Sequence, residues 1–199
     1  MADLRPLSRR FYARDPALVA RDILGRLLVR ETSGERLVGR IVEAEAYATD
    51  DPASHSYRGE TRRNATMFGP PAHAYVYVSH GIHHCLNVTT GHGNAVLLRA
   101  IEPLEGLEWM VERRGVVDAR LLCAGPGRLC EALGVGLADD GADLTTGEGL
   151  WLARGVPASA VVATPRVGIR RAADVPWRFV VRGSRYASRP AGLRPRRPA

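Results

Sequence analysis

The alternation of hydrophobic and polar positions predicts eight strands and three helices. Residues 15–25 have a helical pattern, with Asp15 as cap, Pro16 in the first turn and Gly25 at the end. Helical spacing also predicts helices near 104–114 and 126–134. The predicted strands are 27–29, 37–48, 74–79, 82–88, 95–101, 149–153, 160–168 and 178–182. Because strands and helices do not alternate, an α+β fold around a mostly antiparallel sheet is favoured over a doubly wound fold.

In two segments the hydrophobic positions have neither helical nor strand periodicity. Residues 49–73 are rich in Asp, Pro, Ser, Arg and Gly, which predicts a long ordered loop, and loops of that length inside a domain usually carry function. Residues 184–199 hold five arginines, three prolines and no acid, which is typical of a disordered tail. We therefore expect one domain over 1–183 followed by an Arg- and Pro-rich tail at 184–199.

Composition excludes several classes of protein. The chain has 199 residues, 45% of them hydrophobic, which suffices for one core. All 28 basic residues are arginines, so no lysine is present to form a Schiff base or a phosphate loop. Three cysteines without CxxC spacing argue against a disulfide framework. No apolar run suits a membrane span or a secretory signal, so we expect a cytoplasmic protein, nucleoid-associated if bacterial, with no membrane partner.

The formal charge of +7 is unevenly distributed. Residues 54–101 carry +3 and residues 154–183 carry +5, whereas residues 102–153 carry −6. If a polyanion binds, its phosphates should contact the two basic segments, and the acidic segment should face away. The alternative is that arginine merely replaces lysine on every solvated face.

The strand over 41–47 contains the first candidate catalytic group. Strict alternation places Val42, Ala44 and Ala46 on one face and Glu43, Glu45 and Tyr47 on the other. Carboxylates two positions apart on a strand lie roughly 7 Å apart, so one can raise the pKa of the other where water is excluded. Such a pair suits a general base. The alternative is an edge strand with ordinary surface glutamates.

A second cluster follows at 74–81. Tyr75 and Tyr77 share a strand face ahead of a predicted two-residue turn at His80-Gly81. Aromatic faces beside carboxylates can sandwich a planar base, and a cationic base gains further from cation–π attraction. The alternative is that these rings are core tyrosines with satisfied hydroxyls.

The sequence offers little for a metal. The spacing of His80, His83, His84 and Cys85 matches neither HExxH nor a paired CxxC ligand set, and the adjacent His83 and His84 would point to opposite faces of a strand. The acidic pair Asp50-Asp51 is a weak alternative. We expect neither a metal site nor a cofactor.

Taken together, the motifs resemble the alkyladenine (3-methyladenine) DNA glycosylase family, in one register from about residue 8 to residue 185. The matching segments are 40–47, 53–56, 75–77, 81, 85–87, 97–106, 123–129, 166–168 and 181–183. The resemblance implies a single α+β domain whose mostly antiparallel curved sheet is surrounded by helices and carries a protruding β-hairpin. It also implies a monomeric enzyme that needs no metal and no obligate protein partner.

The implied activity is excision of alkylated purines from damaged double-stranded DNA. The enzyme would flip the nucleotide out of the duplex and hydrolyse its N-glycosidic bond, releasing bases such as 3-methyladenine and 7-methylguanine. Hypoxanthine and ethenoadenine are further candidates. Since the chain has no lysine amine to attack C1′, the abasic strand should stay intact.

The resemblance also assigns roles by position. It makes Glu45 the general base that activates water, and it places Arg99 and Asn87 around that water. The flipped base would be held by Tyr47, His55 and Tyr77. The hairpin at His80 and Gly81 would enter the minor groove, although His80 stands where the family carries a wedging tyrosine.

Two other functions fit the sequence less well. A non-catalytic nucleic-acid binding protein would use the arginines without base chemistry. A nucleoside hydrolase would act on free purine nucleosides, often with a metal held by acidic residues.

Overall fold

The computed structural model describes residues 4–32 and 34–190, which form one α+β domain. The strands are β1 (Leu27–Thr32), β2 (Glu35–Tyr47), β3 (Ala74–Ser79), β4 (His83–Gly91), β5 (Asn94–Glu105), β6 (Leu150–Ala153), β7 (Val161–Thr164) and β8 (Arg178–Val181). The helices are α1 (Arg9–Tyr12), α2 (Pro16–Asp22), α3 (Ala65–Phe68), α4 (Leu107–Arg114), α5 (Ala119–Leu122) and α6 (Pro126–Leu133). A 3-10 turn covers Leu137–Asp139.

The predicted elements are present, with shifted ends. The carboxylate of Asp15 caps α2 by accepting from the backbone N–H groups of Ala17 at 2.8 Å and Leu18 at 3.1 Å. The helix predicted from 104 begins only at Leu107, because β5 extends to Glu105. The sequence did not predict α1, α3 or α5, since four residues are too few to establish a helical period.

The fold is organised around the thirteen-residue strand β2. Antiparallel pairing gives the strand order β3-β4-β5-β2-β1-β6. On its other edge β2 pairs first with β1 and then, at Glu43–Glu45, with β8, which also pairs with β7. This arrangement confirms the mostly antiparallel sheet and makes the carboxylate-bearing part of β2 central, so the edge-strand alternative is wrong.

Irregular pairing between β2 and β5 changes the predicted alternation. The register shifts between Val38 and Gly39 and on both sides of Glu43. Such bulges bend a strand and increase its twist, which accounts for the curvature of the sheet. As a result Ile41 and Ala44 both lie in the main core, while Val42 is buried outside it. The predicted face of Val42, Ala44 and Ala46 is therefore only partly right.

The two faces of the sheet have different environments. One face contributes Ala44, Val76, Leu86, Val96 and Leu98 to the main core. That core also contains buried residues of α2, α4 and α6. The opposite face carries polar and aromatic side chains and is partly covered by the loop predicted at 49–73. Within that loop, Met67 of α3 packs with Tyr75 and Ala95.

The predicted tail lies only partly within the described residues. Residues 184–190 are described and return to the polar face of the sheet, whereas residues 191–199 lie outside the described residues. Among the described residues, no helix combines the length and the apolar character needed to cross a membrane.

Candidate active site

The site is assembled by strand register on the polar face of the sheet. A row of cross-strand partners runs over five strands: Tyr75, Asn87, Leu97, Glu45 and Arg178. Side chains two positions along a strand point to the same face. Tyr47, Tyr77, Glu43 and Arg99 therefore join this row. The register thus brings together side chains that are up to 135 positions apart, from Glu43 to Arg178.

A cavity of about 600 Å³ lies over this face, within the range of about 300–1,000 Å³ typical of small-molecule sites. It is bordered by the ends of β2 and β3, the loop at 53–55, the entry to α6 and the segment 167–169. The predicted site residues among its lining are Tyr47, His55, Tyr77, His80, Asn87 and Arg99. Glu45 and Gly81 are not part of the lining.

Glu45 lies directly beneath the cavity. Its side chain is 0% exposed and is held by three groups that line the cavity. The hydroxyl of Tyr47 donates to Oε2 at 3.0 Å, and Nη1 of Arg99 donates to Oε2 at 3.3 Å. The backbone N–H of Val167 donates to Oε1 at 2.8 Å. The carboxylate is therefore fixed in orientation, one hydrogen bond below the cavity floor.

Glu43 has a different environment. It is also 0% exposed, and it accepts four hydrogen bonds, from Nε of Arg99, Nε of Arg178, and the N–H and hydroxyl of Ser188. Burial by itself raises the pKa of Glu43, but Arg99, Arg178 and Ser188 outweigh burial and lower it overall. The expectation that a neighbouring carboxylate raises this pKa is wrong for Glu43, since Arg99, Arg178 and Ser188 all stabilise its charged form.

Arg99 connects the two carboxylates. Its Nε donates to Oε1 of Glu43 at 2.8 Å, and its Nη1 makes the longer contact to Glu45. The predicted neighbour Asn87 is 4% exposed and donates through Nδ2 to the carbonyl of Tyr75 at 3.0 Å, which fixes its amide at the cavity wall. With Arg178 included, two acids and two arginines balance to a net charge of zero.

Tyr47 is supported from behind by a buried ion pair. The guanidinium of Arg166 lies 4.7 Å from the centroid of the Tyr47 ring and donates to both carboxylate oxygens of Asp51. Burial, followed by the charge of Glu45, raises the pKa of Tyr47, so its hydroxyl stays a donor at neutral pH. Because Asp51 is engaged by Arg166, the pair Asp50-Asp51 does not form an open metal site.

The opposite wall is formed by three rings. Nδ1 of His55 lies 2.9 Å from the hydroxyl of Tyr75, and the His55 ring packs edge-on against Tyr77 at 4.5 Å. Burial and the charge of Arg63 lower the pKa of His55, which favours a neutral ring. Burial raises the pKa of Tyr75 to about 12 and also raises that of Tyr77. This wall is therefore aromatic and uncharged at neutral pH.

The predicted turn at His80-Gly81 joins β3 and β4, but the connection has three residues, 80–82, rather than two, because Ser79 pairs with His83. His80 and Gly81 adopt φ values of 52° and 74°, and the N–H of Ile82 donates to the carbonyl of Ser79 at 3.1 Å. Positive φ at both central positions is the geometry of a type I′ turn. His80 borders the cavity, and Ile82 is 74% exposed beside it. The tip therefore presents an aliphatic side chain as well as an imidazole.

The prediction that the acidic segment faces away is only partly right. The cavity is bordered by residues of the two basic segments and also by Arg114, Arg128 and Glu131 of the acidic segment. That segment does not face entirely away. Within residues 4–32 and 34–190, no group of three or more His, Cys, Asp or Glu side chains is placed to hold a metal ion.

Several site residues received no role from the sequence. Arg166 and Val167 lie in a matching segment, but no pattern indicated that one would stack on Tyr47 and the other bind Glu45. Arg178 was detectable as a charge inside the apolar run 177–181. No sequence pattern indicated Ser188, because it lies in a segment whose hydrophobic positions have no helical or strand periodicity.

Comparison with known proteins adds an independent finding. Residues 10–185 match the family model described as methylpurine-DNA glycosylase (MPG). A relative from Carboxydothermus hydrogenoformans is 46% identical over 188 residues, covering 92% of this chain and 98% of its own. A relative from Nitrosospira multiformis is 54% identical over 175 residues, covering 86% and 88%. Both bear the name "Putative 3-methyladenine DNA glycosylase". Since the matches extend over nearly the whole described domain, the chain belongs to the methylpurine-DNA glycosylase family.

Proposed function

We propose that this DNA glycosylase receives an alkylated purine nucleotide, flipped out of duplex DNA, in the cavity above Glu45 and hydrolyses its N-glycosidic bond. The observation that carries the proposal is the position of Glu45. Its carboxylate is held in one orientation by Tyr47, Arg99 and Val167, directly below a cavity walled by tyrosines. A general base needs this kind of fixed geometry within hydrogen-bond reach of its water.

The contacts separate the roles of the two glutamates. Glu45 is bound by Tyr47, Arg99 and Val167, all of which line the cavity. Glu43 is bound by Arg178 and Ser188 as well as by Arg99, and neither Arg178 nor Ser188 belongs to the cavity lining. Glu45 is therefore the carboxylate placed to accept a hydrogen bond from a water in the cavity, and Glu43 serves to hold Arg99.

The chemical step is a hydrolysis. Water attacks C1′ and gives a proton to Glu45, while the electron pair of the glycosidic bond leaves with the purine nitrogen. The negative carboxylate also stabilises the positive charge that develops on the sugar in an oxocarbenium-like transition state. A purine alkylated at N3 or N7 already carries positive charge, so it leaves as a neutral base without further protonation.

The walls favour a planar cationic base. Tyr75, Tyr77 and His55 present an uncharged aromatic surface, and aromatic faces attract cations by about 0.5–2 kcal/mol. On the other side Arg166 already occupies one face of Tyr47, which weakens that ring's attraction for a second cation. Discrimination should therefore depend mainly on the Tyr77 side. Base flipping adds selectivity, since extrusion costs least for a damaged pair.

The test is base release by a Glu45→Gln variant. Wild-type protein and variant are incubated in EDTA with duplex DNA carrying radiolabelled methyl groups, and released bases are measured under single-turnover conditions. Loss of the general base should lower the rate of nucleobase release by about 10² to 10⁴-fold while DNA binding is retained. Glu102→Gln is the matched control, because Glu102 pairs with Arg40 on the outer surface of the domain.

Near wild-type release by Glu45→Gln would reject Glu45 as the base. Cleavage of free purine nucleosides at a rate similar to that on DNA would instead favour a nucleoside hydrolase. DNA binding without any release by wild-type protein would reject the proposed activity altogether.

A further inference from the structure

The segment that follows β8 reaches the buried glutamates. After a turn in which the N–H of Ser184 donates to the carbonyl of Val181, residues 184–190 lie against the polar face of the sheet. Nη2 of Arg178 donates to the carbonyl of Arg189 at 2.7 Å and tethers the segment. Ser188 is held next to Glu43 by this tether.

Ser188 contacts both members of the ion pair below the cavity. Its N–H donates to Oε2 of Glu43 at 2.6 Å, and its hydroxyl donates to Oε1 at 2.8 Å. The same hydroxyl oxygen accepts from Nη2 of Arg99 at 3.3 Å. A hydroxyl can donate once and accept twice, so these contacts are compatible.

These contacts affect Glu45 through Arg99. The guanidinium is a rigid planar fork, so the position of one nitrogen determines the others. With Nε on Glu43 at 2.8 Å, Nη1 lies 3.3 Å from Glu45. If Glu43 shifts, the guanidinium can close onto Glu45, and a carboxylate in a tighter ion pair is a weaker base.

We propose that Ser188 is a positioning residue for base excision: it locks Glu43 and Arg99 so that Arg99 orients Glu45 without pairing fully with it. This inference rests on the role proposed above for Glu45. It places the functional end of the domain at or beyond Ser188, within the segment that the sequence assigned to the tail. Deleting the chain from residue 186 onward would therefore remove Ser188 and its contacts to Glu43 and Arg99.

The test compares Ser188→Ala, Ser188→Thr and Ser184→Ala. Ser184 lies in the same segment and its hydroxyl accepts from the N–H of Tyr186, without contact to Glu43 or Arg99. Single-turnover release from methylated duplex DNA is measured over a range of enzyme concentrations, which separates the maximal rate from the half-saturating concentration. Thermal unfolding of each variant is recorded alongside.

We expect Ser188→Ala to lower the maximal rate about three- to tenfold, because it removes the hydrogen bonds that the hydroxyl makes to two charged groups, Glu43 and Arg99. The half-saturating concentration should stay within about twofold, since the DNA-binding surface is not altered. Ser188→Thr should recover the rate by restoring the hydroxyl, and Ser184→Ala should match wild type.

Equal rates for Ser188→Ala and Ser184→Ala would overturn the inference while leaving the proposed activity intact. A change confined to the half-saturating concentration would also overturn it, because Ser188 would then act in DNA binding. Failure of wild-type protein to release base refutes the proposed function itself and is recognised before any variant is compared.

Discussion

The Glu43→Gln variant tests whether the buried charge cluster stabilises the domain. Glutamine has the shape of glutamate but carries no charge and turns one acceptor oxygen into a donor. At least one of the four donors that reach Glu43 would then face another donor. The four-residue cluster would also change from a net charge of zero to +1, with Arg99 and Arg178 both nearly buried.

The size of the effect follows from that burial. Removing one partner of a buried ion pair costs about 3–5 kcal/mol, because the remaining charge is left uncompensated. For a domain of this size, 1 kcal/mol corresponds to about 2–4 °C in Tm. We therefore expect Glu43→Gln to lower Tm by about 6–20 °C. Glu102→Gln breaks a partly exposed pair and should cost no more than about 1 kcal/mol.

Urea unfolding of Glu43→Gln, Glu102→Gln and wild type measures their free energies of unfolding directly. The pH dependence of these free energies is a second readout. The pKa of Glu43 is lower in the folded protein than its ordinary value of 4.5. Its contribution is therefore present above about pH 4.5 and is lost as the pH falls through the folded-state pKa. The difference in free energy of unfolding between wild type and Glu43→Gln should therefore shrink as the pH falls below about 4.5. A Glu43→Gln variant within about 1 kcal/mol of wild type at pH 7 would refute this account of the cluster.

Two further predictions concern DNA binding. Deleting residues 191–199 removes three arginines but spares Ser188. The deletion should weaken DNA affinity and reduce the slope of log K against log[salt] by up to about 0.9 for each phosphate that is no longer neutralised, with single-turnover release unchanged. Binding titrations at several salt concentrations measure this slope, and an unchanged slope would show that these arginines do not bind phosphate. At the hairpin, Ile82→Ser should weaken binding to damaged duplex about three- to tenfold more than to single strands, since an apolar wedge acts only on stacked bases. Equal reductions in affinity for both substrates would argue against a wedge.

Local patterns predicted most of the fold because strand and helix periods are local properties of the chain. The β3 bounds agreed with the structure, and α2 begins after the predicted cap at Asp15. Placing Glu43, Glu45 and Tyr47 on one strand face also required only alternation. Short helices and strand ends were missed, since they depend on tertiary contacts more than on periodicity.

By itself, the sequence determined which side chains were available: two glutamates and a tyrosine on one strand, two tyrosines on another, and no lysine. It also carried the family resemblance. Only the tertiary structure decided how these groups meet, because strand register and bulges are set by pairing between distant segments. Register placed Asn87, Leu97 and Glu45 in one row, and packing brought Arg166 behind Tyr47. The hydrogen bonds of Ser188 to Glu43 span 145 positions, a distance over which no local pattern carries information.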